Sequence, residues 1–169
     1  QYIETQILTG DRKFVFDIIK ISENVIASGY NNGNIKIFER NSISGQFIET
    51  QVLNGDKYYA SNIIKISDDV IASGFYYDGN IKIWERDSNG QFIETQILTG
   101  DNTLVSSLLK ISENVIASGY DNGKIIIWER NSNGQFTETQ QILTGDNKFV
   151  LSLIKISDDV IASGSLEGK

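Results

Sequence analysis

The chain lacks cysteine, histidine, methionine and proline altogether, although it has 169 residues. Without cysteine there can be no disulfide framework and no thiolate metal site. Without histidine the chain has neither the commonest general acid–base group nor the commonest metal ligand of proteins. A catalytic or metal-dependent function would have to be built from carboxylates, hydroxyls and lysines alone.

Positive charge and long apolar runs are also scarce. The chain has 15 Lys and Arg against 22 Asp and Glu, a formal net charge of −7, and such a surface repels the phosphate backbone of nucleic acids. No apolar run approaches the roughly 18 residues that a membrane-spanning helix needs. We therefore expect neither a nucleic acid nor a membrane as a partner.

The motifs of common enzymes and cofactor sites are missing as well. No glycine-rich phosphate loop occurs, and no nucleophile stands beside a base. We therefore predict that the protein is not an enzyme and has no catalytic residues, no cofactor and no metal site. The chain begins at Gln1 rather than at a methionine. We interpret it as a piece of a longer protein, which we expect to be intracellular and cytoplasmic.

One sequence motif occurs four times along the chain. The tripeptide Lys-Ile-Ser begins at positions 20, 65, 110 and 155, so the repeat is 45 residues long. The pentapeptide Val-Ile-Ala-Ser-Gly follows each copy, and the segments NIKIFER, NIKIWER and KIIIWER follow three of them. Internal repeats of this length indicate a fold made of similar units stacked on one another.

Each repeat alternates short strand-forming segments with turn signals. The segments FVFDIIKIS, NVIASGY, NIKIF and QFIETQVL are rich in residues that favour β-strands. Asn32-Gly33, Asp78-Gly79 and Asn122-Gly123 separate the second segment from the third. Such pairs predict a type I′ hairpin turn, in which both residues take a positive φ. Each repeat is therefore predicted to be a four-stranded antiparallel meander of strands a, b, c and d.

The predicted sheet has apolar residues on both faces, as Ile35, Ile37 and Phe38 of strand c show. Both faces need covering, and stacking similar sheets face to face around an axis covers them. A linear solenoid is the competing architecture, but solenoids of this period are mostly helical and no helical apolar stripe occurs here. The predicted fold class is all-β, a β-propeller of four-stranded antiparallel blades.

The end of each repeat resembles the WD-repeat family of β-propellers. Trp84-Glu85 and Trp128-Glu129 stand at the family's Trp-Asp position. Leu-Thr-Gly-Asp or Leu-Asn-Gly-Asp stands at its Gly-His position, beginning at Leu8, Leu53, Leu98 and Leu143. The resemblance covers the whole chain. It implies a closed ring of seven blades, of which this segment would supply about 3.75 repeats.

The residues of the family's buried hydrogen-bonded network are only partly present. In the family, a histidine, a strand-b serine, a turn aspartate and the tryptophan form this network. The histidine position here contains Asp11, Asp56, Asp101 and Asp146. The serine position contains Ser28, Ser73, Ser118 and Ser163. The turn position contains Asn32, Asp78, Asn122 and Glu167, and Phe38 replaces the first tryptophan. We therefore expect that the network does not form in its usual way.

The resemblance also implies the boundaries of the blades, with residues 1–169 as one partial propeller. Residues 1–10 are expected to be the outer strand of a preceding blade. Residues 14–54, 59–98 and 104–143 are expected to be complete blades, and 149–169 an incomplete one. Such a segment leaves two apolar blade faces uncovered, which drives association. We therefore expect self-association, or completion of the ring by the remainder of a longer chain.

The repeats differ mainly in loops that a meander places at one end of its sheets, the d–a and b–c connections. Aromatic residues supply much of the binding energy at protein interfaces, and variable loops on a rigid scaffold are common recognition sites. We therefore predict that this face of a non-enzymatic scaffold binds a protein or peptide. The predicted contact residues are Lys13, Phe14, Tyr30, Lys57, Tyr58, Tyr59, Phe75, Tyr76, Tyr77, Tyr120, Lys148 and Phe149.

Other interpretations of the same residues remain open at this point. The loop variation is also explained by neutral drift. The propeller could instead be a building block of a large assembly, or a sensor attached to a catalytic domain outside this segment. The repeated lysines of strand a either line a central channel that attracts an acidic partner or pair with nearby carboxylates; they are Lys20, Lys65, Lys110 and Lys155.

Overall fold

The computed structural model describes residues 3–8, 13–55, 57–144 and 148–166. These residues form fourteen β-strands, arranged in three four-stranded sheets and one two-stranded sheet. In every sheet, consecutive strands are hydrogen-bonded neighbours and run antiparallel. The prediction of one meander per repeat is therefore confirmed. Over the described ranges, no helix is long and apolar enough to cross a membrane.

The four sheets follow the four repeats in order. Blade 1 contains β1 (Val15–Ser22), β2 (Val25–Tyr30), β3 (Asn34–Arg40) and β4 (Phe47–Asn54). Blade 2 contains β5 (Ala60–Ser67), β6 (Val70–Phe75), β7 (Asn80–Arg86) and β8 (Phe92–Thr99). Blade 3 contains β9 (Val105–Lys110), β10 (Val115–Tyr120), β11 (Lys124–Arg130) and β12 (Phe136–Thr144). The partial blade contains β13 (Val150–Ser157) and β14 (Val160–Ser165).

The sheets stack face to face, with strand a of each sheet innermost. β1 contacts β5, β5 contacts β9, and β9 contacts β13, whereas the outer strands β8 and β12 barely touch. Sheets that converge at their first strand and diverge at their last have the wedge arrangement of propeller blades. The predicted fold class is confirmed.

The apolar core lies between the blades. One buried cluster joins Ile37 and Leu53 of blade 1 to Trp84 and Phe92 of blade 2. A second cluster joins residues of blade 2 to Trp128 of blade 3 in the same way. Because adjacent blades cover each other, the apolar residues that lie between them are buried.

The b–c turns are not of the predicted type. The glycine of each pair takes a positive φ, 82° at Gly33 and 85° at Gly123, but Asn32 and Asn122 do not. The Gly33 N–H donates to the Tyr30 carbonyl at 3.1 Å. The glycine therefore follows the two central residues of the turn, as in a type I turn with a G1 bulge. The type I′ prediction was wrong because it placed the Asn-Gly pair one position too early in the turn.

The third outer strand contains an inserted residue. β12 has nine residues, whereas β4 and β8 have eight. The duplicated Gln140-Gln141 accounts for the difference, and it falls at the pairing shift between Ile126 and Trp128, a place where the other two complete blades also have a shift. A bulge absorbs the extra residue without disturbing the flanking pairs.

A glutamine side chain joins each outer strand to the next blade. The Gln51 amide donates to the Phe92 carbonyl at 2.7 Å and accepts from the Phe92 N–H at 2.9 Å. Gln96 makes the same two bonds to Phe136. We call this pair of bonds the glutamine clamp. It satisfies the backbone of a residue that is almost completely buried, since Phe92 is 2% exposed.

The segment 3–8 makes the same clamp although it is not part of a sheet. Gln6 donates to the Phe47 carbonyl at 2.7 Å and accepts from the Phe47 N–H at 2.8 Å. Gln6 therefore lies relative to blade 1 as Gln51 lies relative to blade 2. The remaining residues of the predicted outer strand 1–10 lie outside the described residues.

The glutamine clamp predicts a loss of stability on replacing Gln51 with Ala. The variant leaves the Phe92 N–H and carbonyl without their partners, so we expect the free energy of unfolding to fall by about 1–3 kcal/mol. Urea denaturation followed by circular dichroism measures the change. The control is Gln46→Ala, whose side chain is exposed in the c–d turn, with an expected change within about 0.5 kcal/mol. Equal losses in the two variants would contradict a stabilising clamp.

Candidate protein-interaction face

One backbone hydrogen bond holds the d–a loop and the b–c turn of each repeat together. The N–H of Tyr76, in the b–c turn, donates to the Tyr59 carbonyl, just before strand a, at 3.0 Å. Asn31, Asp121 and Leu166 donate in the same way in the other repeats. These loops therefore share one end of the blades, which we call the d–a/b–c face.

Five aromatic rings of the d–a/b–c face pack against one another, and we call them the aromatic cluster. Phe16 of blade 1 stacks on Tyr59 with ring centroids 5.0 Å apart and an interplanar angle of 15°. Tyr59 is 5.6 Å from Tyr76, which meets Tyr77 edge-on at 4.8 Å. Tyr77 also contacts Tyr58 at 5.4 Å. The cluster thus spans two blades as one continuous patch.

The aromatic cluster remains accessible to a partner. Tyr77 is 62% exposed and Phe16 is 49% exposed, while the other three rings are partly buried. The Lys57 ammonium lies 4.9 Å above the Tyr58 ring, in cation–π contact. Packing among the rings fixes their positions, so they offer contact area at a low cost in side-chain entropy.

Tyr77 adopts a backbone conformation that is rare for its residue type. Its φ is +92°, in a region that side chains other than glycine, asparagine and aspartate seldom enter. Blade 2 has one more residue in this turn than blades 1 and 3, and the insertion directs the Tyr77 ring into solvent. Strain of this kind concentrates at functional sites.

A small cavity lies beside the aromatic cluster. Its volume is about 140 Å³, and Tyr76, Leu104, Val105 and Phe149 form most of its apolar wall. Ser61, Asn62 and Ser106 supply polar groups at its edge. The cavity is open to solvent on the d–a/b–c face, where it can receive one apolar side chain.

The structure separates the predicted contact residues into two groups. Lys57, Tyr58, Tyr59, Tyr76 and Tyr77 come together in or beside the aromatic cluster. Phe149 lines the cavity beside the cluster. The remaining accessible residues lie elsewhere on the d–a/b–c face; they are Lys13, Phe14 and Lys148.

Tyr30, Phe75 and Tyr120 are core residues, 4%, 0% and 0% exposed, and this corrects their predicted role as partner contacts. Each is the last residue of strand b, whose side chain points between the blades. A Cβ atom at Gly55 would overlap the Phe75 ring, and one at Gly100 would overlap the Tyr120 hydroxyl. The repeated Leu-x-Gly-Asp glycine thus leaves space for this ring.

Phe16 belongs to the site but was not among the predicted contact residues. The other repeats have Ser61, Ser106 and Leu151 at its position. The only indication in the sequence was that this position is aromatic in one repeat and small or aliphatic in the other three. Its importance depends on contact with Tyr59 of the next blade, which the sequence does not show.

Part of the expected buried network forms with a different third member. The Trp84 and Trp128 indoles donate to the Ser73 and Ser118 hydroxyls, each at 2.9 Å. In blade 3 the Tyr120 hydroxyl lies 3.2 Å from the Ser118 oxygen. Tyrosine therefore continues the network from the end of strand b. The network therefore forms without the histidine, with a composition that differs from the usual one.

The aspartate at the histidine position has another role in blade 3. Asp101 accepts hydrogen bonds from Lys124 at 2.9 Å and from Asn122, and the Lys124 bond lowers the pKa of its carboxyl. These bonds tie the d–a loop to the b–c turn. The equivalent Asp11, Asp56 and Asp146, and Glu167 of the turn position, lie outside the described residues.

The repeated lysines of strand a pair with nearby groups. Lys65 and Lys155 form ion pairs with Asp68 and Asp158 at 2.5 and 2.6 Å, and Lys20 pairs with Glu23. Lys110 donates to the Ile66 carbonyl of the preceding blade. Three of the four lysines thus pair with nearby carboxylates, as the second interpretation has it, whereas Lys110 bonds a backbone carbonyl. Among the described residues, no three acidic side chains are grouped to hold a metal ion.

Comparison with known proteins places the fold. No protein-family model matches the chain, and no curated protein matches it significantly. Among solved structures, the WD40 repeats of RRP9 superpose with a TM-score of 0.75 at 18% identity, covering 95% of this chain and 47% of that one. The WD40 propeller domain of Doa1 superposes with a TM-score of 0.72 at 20% identity, covering 91% of this chain and 48% of that one. U3-55K superposes with a TM-score of 0.75 at 18% identity, covering 95% of this chain and 48% of that one.

The chain therefore has the WD40-repeat propeller fold, as its repeats had indicated. It spans about half the length of these solved structures, 47% or 48% of each. At this level of identity, the likeness establishes the architecture of the blades.

Blade 1 has Phe38 where blades 2 and 3 have tryptophan, and this difference affects the stability of the chain. Phenylalanine cannot donate to Ser28, and the buried Ser28 hydroxyl has no partner in the described structure. A buried hydroxyl without a partner costs about 1–3 kcal/mol, whereas a bonded one stabilises. We expect Ser28→Ala to stabilise the chain by about 1 kcal/mol and Ser73→Ala to destabilise it by a similar amount. Thermal and urea denaturation measure both, and changes of the same sign would contradict this account.

The buried Tyr120 predicts a loss of stability in alkali. Burial raises the pKa of Tyr120 from 10.0 to about 12. Above pH 10 the unfolded chain releases this proton while the folded chain retains it, so folding loses stability as the pH rises towards 12. The loss approaches about 3 kcal/mol.

Urea denaturation of the parent and of Tyr120→Phe between pH 8 and pH 12 isolates this effect from the titration of other groups. The variant lacks the hydrogen bond to Ser118 and should be the less stable at pH 8, by about 1 kcal/mol. Its disadvantage should shrink and then reverse with rising pH. A stability difference that stays constant over this range would be the contradictory result.

Proposed function

We propose that this chain is a non-enzymatic interaction scaffold whose d–a/b–c face binds an extended peptide segment of a partner protein. The observation that carries the proposal is the aromatic cluster. Five rings from two adjacent blades form one partly exposed patch at the end of the blades where the repeats differ.

The chemistry of the cluster favours a peptide with an apolar anchor side chain. Tyrosine offers a large apolar surface together with a hydroxyl that can hydrogen-bond a peptide backbone. The cavity beside Tyr76 is large enough for one side chain of the partner, and Ser61, Asn62 and Ser106 can bond the adjacent backbone. A pocket beside exposed aromatic anchors is the usual arrangement of a binding hot spot.

The inserted Tyr77 supports binding over neutral drift. The insertion costs conformational energy because it places a tyrosine at a φ of +92°. Its ring nevertheless projects from the turn and remains 62% exposed. An exposed aromatic ring held in an unfavourable backbone conformation adds little to folding, so a role in recognition explains it better.

Selection from a displayed library of random peptides supplies the probe for a binding test. We expect selected peptides to lose about tenfold or more in affinity for the double variant Tyr76→Ala/Tyr77→Ala, since truncating central anchors costs about 2 kcal/mol or more. Fluorescence anisotropy of a labelled peptide measures the affinity. Circular dichroism checks that the fold is retained.

The matched control is Ile43→Ala in the c–d turn at the opposite end of blade 1. Ile43 is 96% exposed, so the variant removes apolar surface without touching the d–a/b–c face. Its affinity for the selected peptides should equal that of the parent. Selection of no peptide, or equal losses in the control and the double variant, would leave neutral drift as the better explanation.

A further inference from the structure

The side chains that oxidants attack most readily in proteins are absent from this chain. Cysteine and methionine are the usual targets, and the 169 residues contain neither. The phenol of tyrosine and the indole of tryptophan are the next side chains to lose an electron. Oxidation of the chain is therefore directed to its seven tyrosines and two tryptophans, and the fold decides which of them an oxidant can reach.

Burial protects both tryptophans and two of the tyrosines. Trp84 and Trp128 are 4% and 3% exposed, and Tyr30 and Tyr120 are 4% and 0% exposed. Tyr2 lies outside the described residues. In the part of the chain that the structure describes, the accessible phenols are therefore all in the aromatic cluster; they are Tyr58, Tyr59, Tyr76 and Tyr77.

Within the cluster, the rings of Tyr58 and Tyr77 meet between the d–a loop and the b–c turn of blade 2. Their centroids are 5.4 Å apart, with an interplanar angle of 55°. Tyr77 is 62% exposed, so its phenol is the one that an oxidant in solution reaches most easily. Holding two reacting groups side by side makes their reaction much faster than an encounter between separate chains.

The other tyrosine contacts of the cluster favour coupling less. Tyr76 and Tyr77 are 4.8 Å apart, but they are consecutive residues whose rings meet edge-on at 79°. A bond between these rings would close a small and strained macrocycle. Tyr59 is 5.6 Å from Tyr76, but its ring is stacked on Phe16, and both tyrosines are partly buried. Tyr58 and Tyr77 are therefore the favoured pair.

We propose that Tyr58 and Tyr77 form an oxidative modification site, at which a peroxidase-type one-electron oxidant acting with hydrogen peroxide joins them as dityrosine. Each phenol loses one electron and its hydroxyl proton and becomes a phenoxyl radical. The two radicals form a carbon–carbon bond between the ring positions ortho to their oxygens. Each coupled carbon then releases its proton, and each oxygen regains one. The chain loses two hydrogen atoms in all, and one hydrogen peroxide is reduced to two waters.

The bond would join the d–a loop of blade 2 to its b–c turn. The Tyr76 N–H already donates to the Tyr59 carbonyl between these segments at 3.0 Å, so the native fold holds the two loops together before the link forms. A covalent cross-link stabilises a fold by restricting the unfolded chain. The modification does not depend on the proposed peptide binding, because it needs only the two phenols and an oxidant.

Treatment of the chain with a plant peroxidase and hydrogen peroxide tests the proposal. We expect dityrosine fluorescence in molecules of single-chain mass, with a yield that is unchanged on about tenfold dilution because both phenols belong to one chain. Trypsin cleaves after Lys57, Lys65 and Lys82. Mass spectrometry should therefore find residues 58–65 joined to residues 66–82 in one product that has lost two hydrogen atoms.

Phenylalanine variants identify the two partners. Tyr58→Phe and Tyr77→Phe retain the rings but remove a phenol, so each should lower the yield about tenfold or more. The matched controls Tyr76→Phe and Tyr2→Phe should give the yield of the parent. Circular dichroism before oxidation checks that every variant retains the fold. Oxidation should raise the melting temperature of the parent and leave that of Tyr77→Phe unchanged.

Several results would overturn the proposal. A yield that falls in proportion to dilution would show coupling between chains, and a link within residues 66–82 alone would show coupling of Tyr76 to Tyr77. Absence of dityrosine, or a yield in Tyr77→Phe equal to that of the parent, would exclude this site. The expected result is a single link between residues 58 and 77 that forms within one chain.

Discussion

Packing of an aromatic residue between adjacent sheets is the interaction on which this structure depends. A four-stranded meander with isoleucines on both faces cannot bury its apolar surface alone. Trp84 and Trp128 fill the space between blades, and serine hydroxyls satisfy their indole N–H groups. Blade 1 has Phe38 at this position, which is buried but cannot donate a hydrogen bond to Ser28. The apolar core therefore lies between adjacent blades, and no blade is a folding unit by itself.

Polar contacts set the register of these joints and explain which residues the repeats keep constant. The phenylalanine that starts strand d is clamped by a glutamine in strand d of the preceding blade, as Phe92 is by Gln51. The Glu-Arg pair that ends strand c links each blade to its predecessor, as in Arg130 with Glu85. Such bonds add modest energy individually. They occur at both joints between complete blades, so the same geometry is favoured at each.

The architecture was predictable from the sequence because it depends on local patterns that occur four times. Strand order, the blade period and the end of the sheets at which the repeats vary all follow from such patterns. The direction of single side chains did not follow. Phe75 and Tyr76 are adjacent, yet one is fully buried between blades and the other faces the aromatic cluster. Alternation along a strand predicts opposite faces, but a turn begins between these residues, and only the position of Gly55 shows which ring is buried.

The joints also explain why recognition can be confined to the d–a/b–c face. Since blade packing depends on the strands, a residue inserted in a b–c turn leaves the core intact, as the Tyr77 insertion in blade 2 shows. The resulting tyrosine reaches Tyr58 and Tyr59 of its own blade, while Phe16 completes the cluster from the blade before. The relative position of these rings is fixed by the joint between blades 1 and 2. The binding proposed at the aromatic cluster would therefore require an intact joint, because the cluster is shared by two blades.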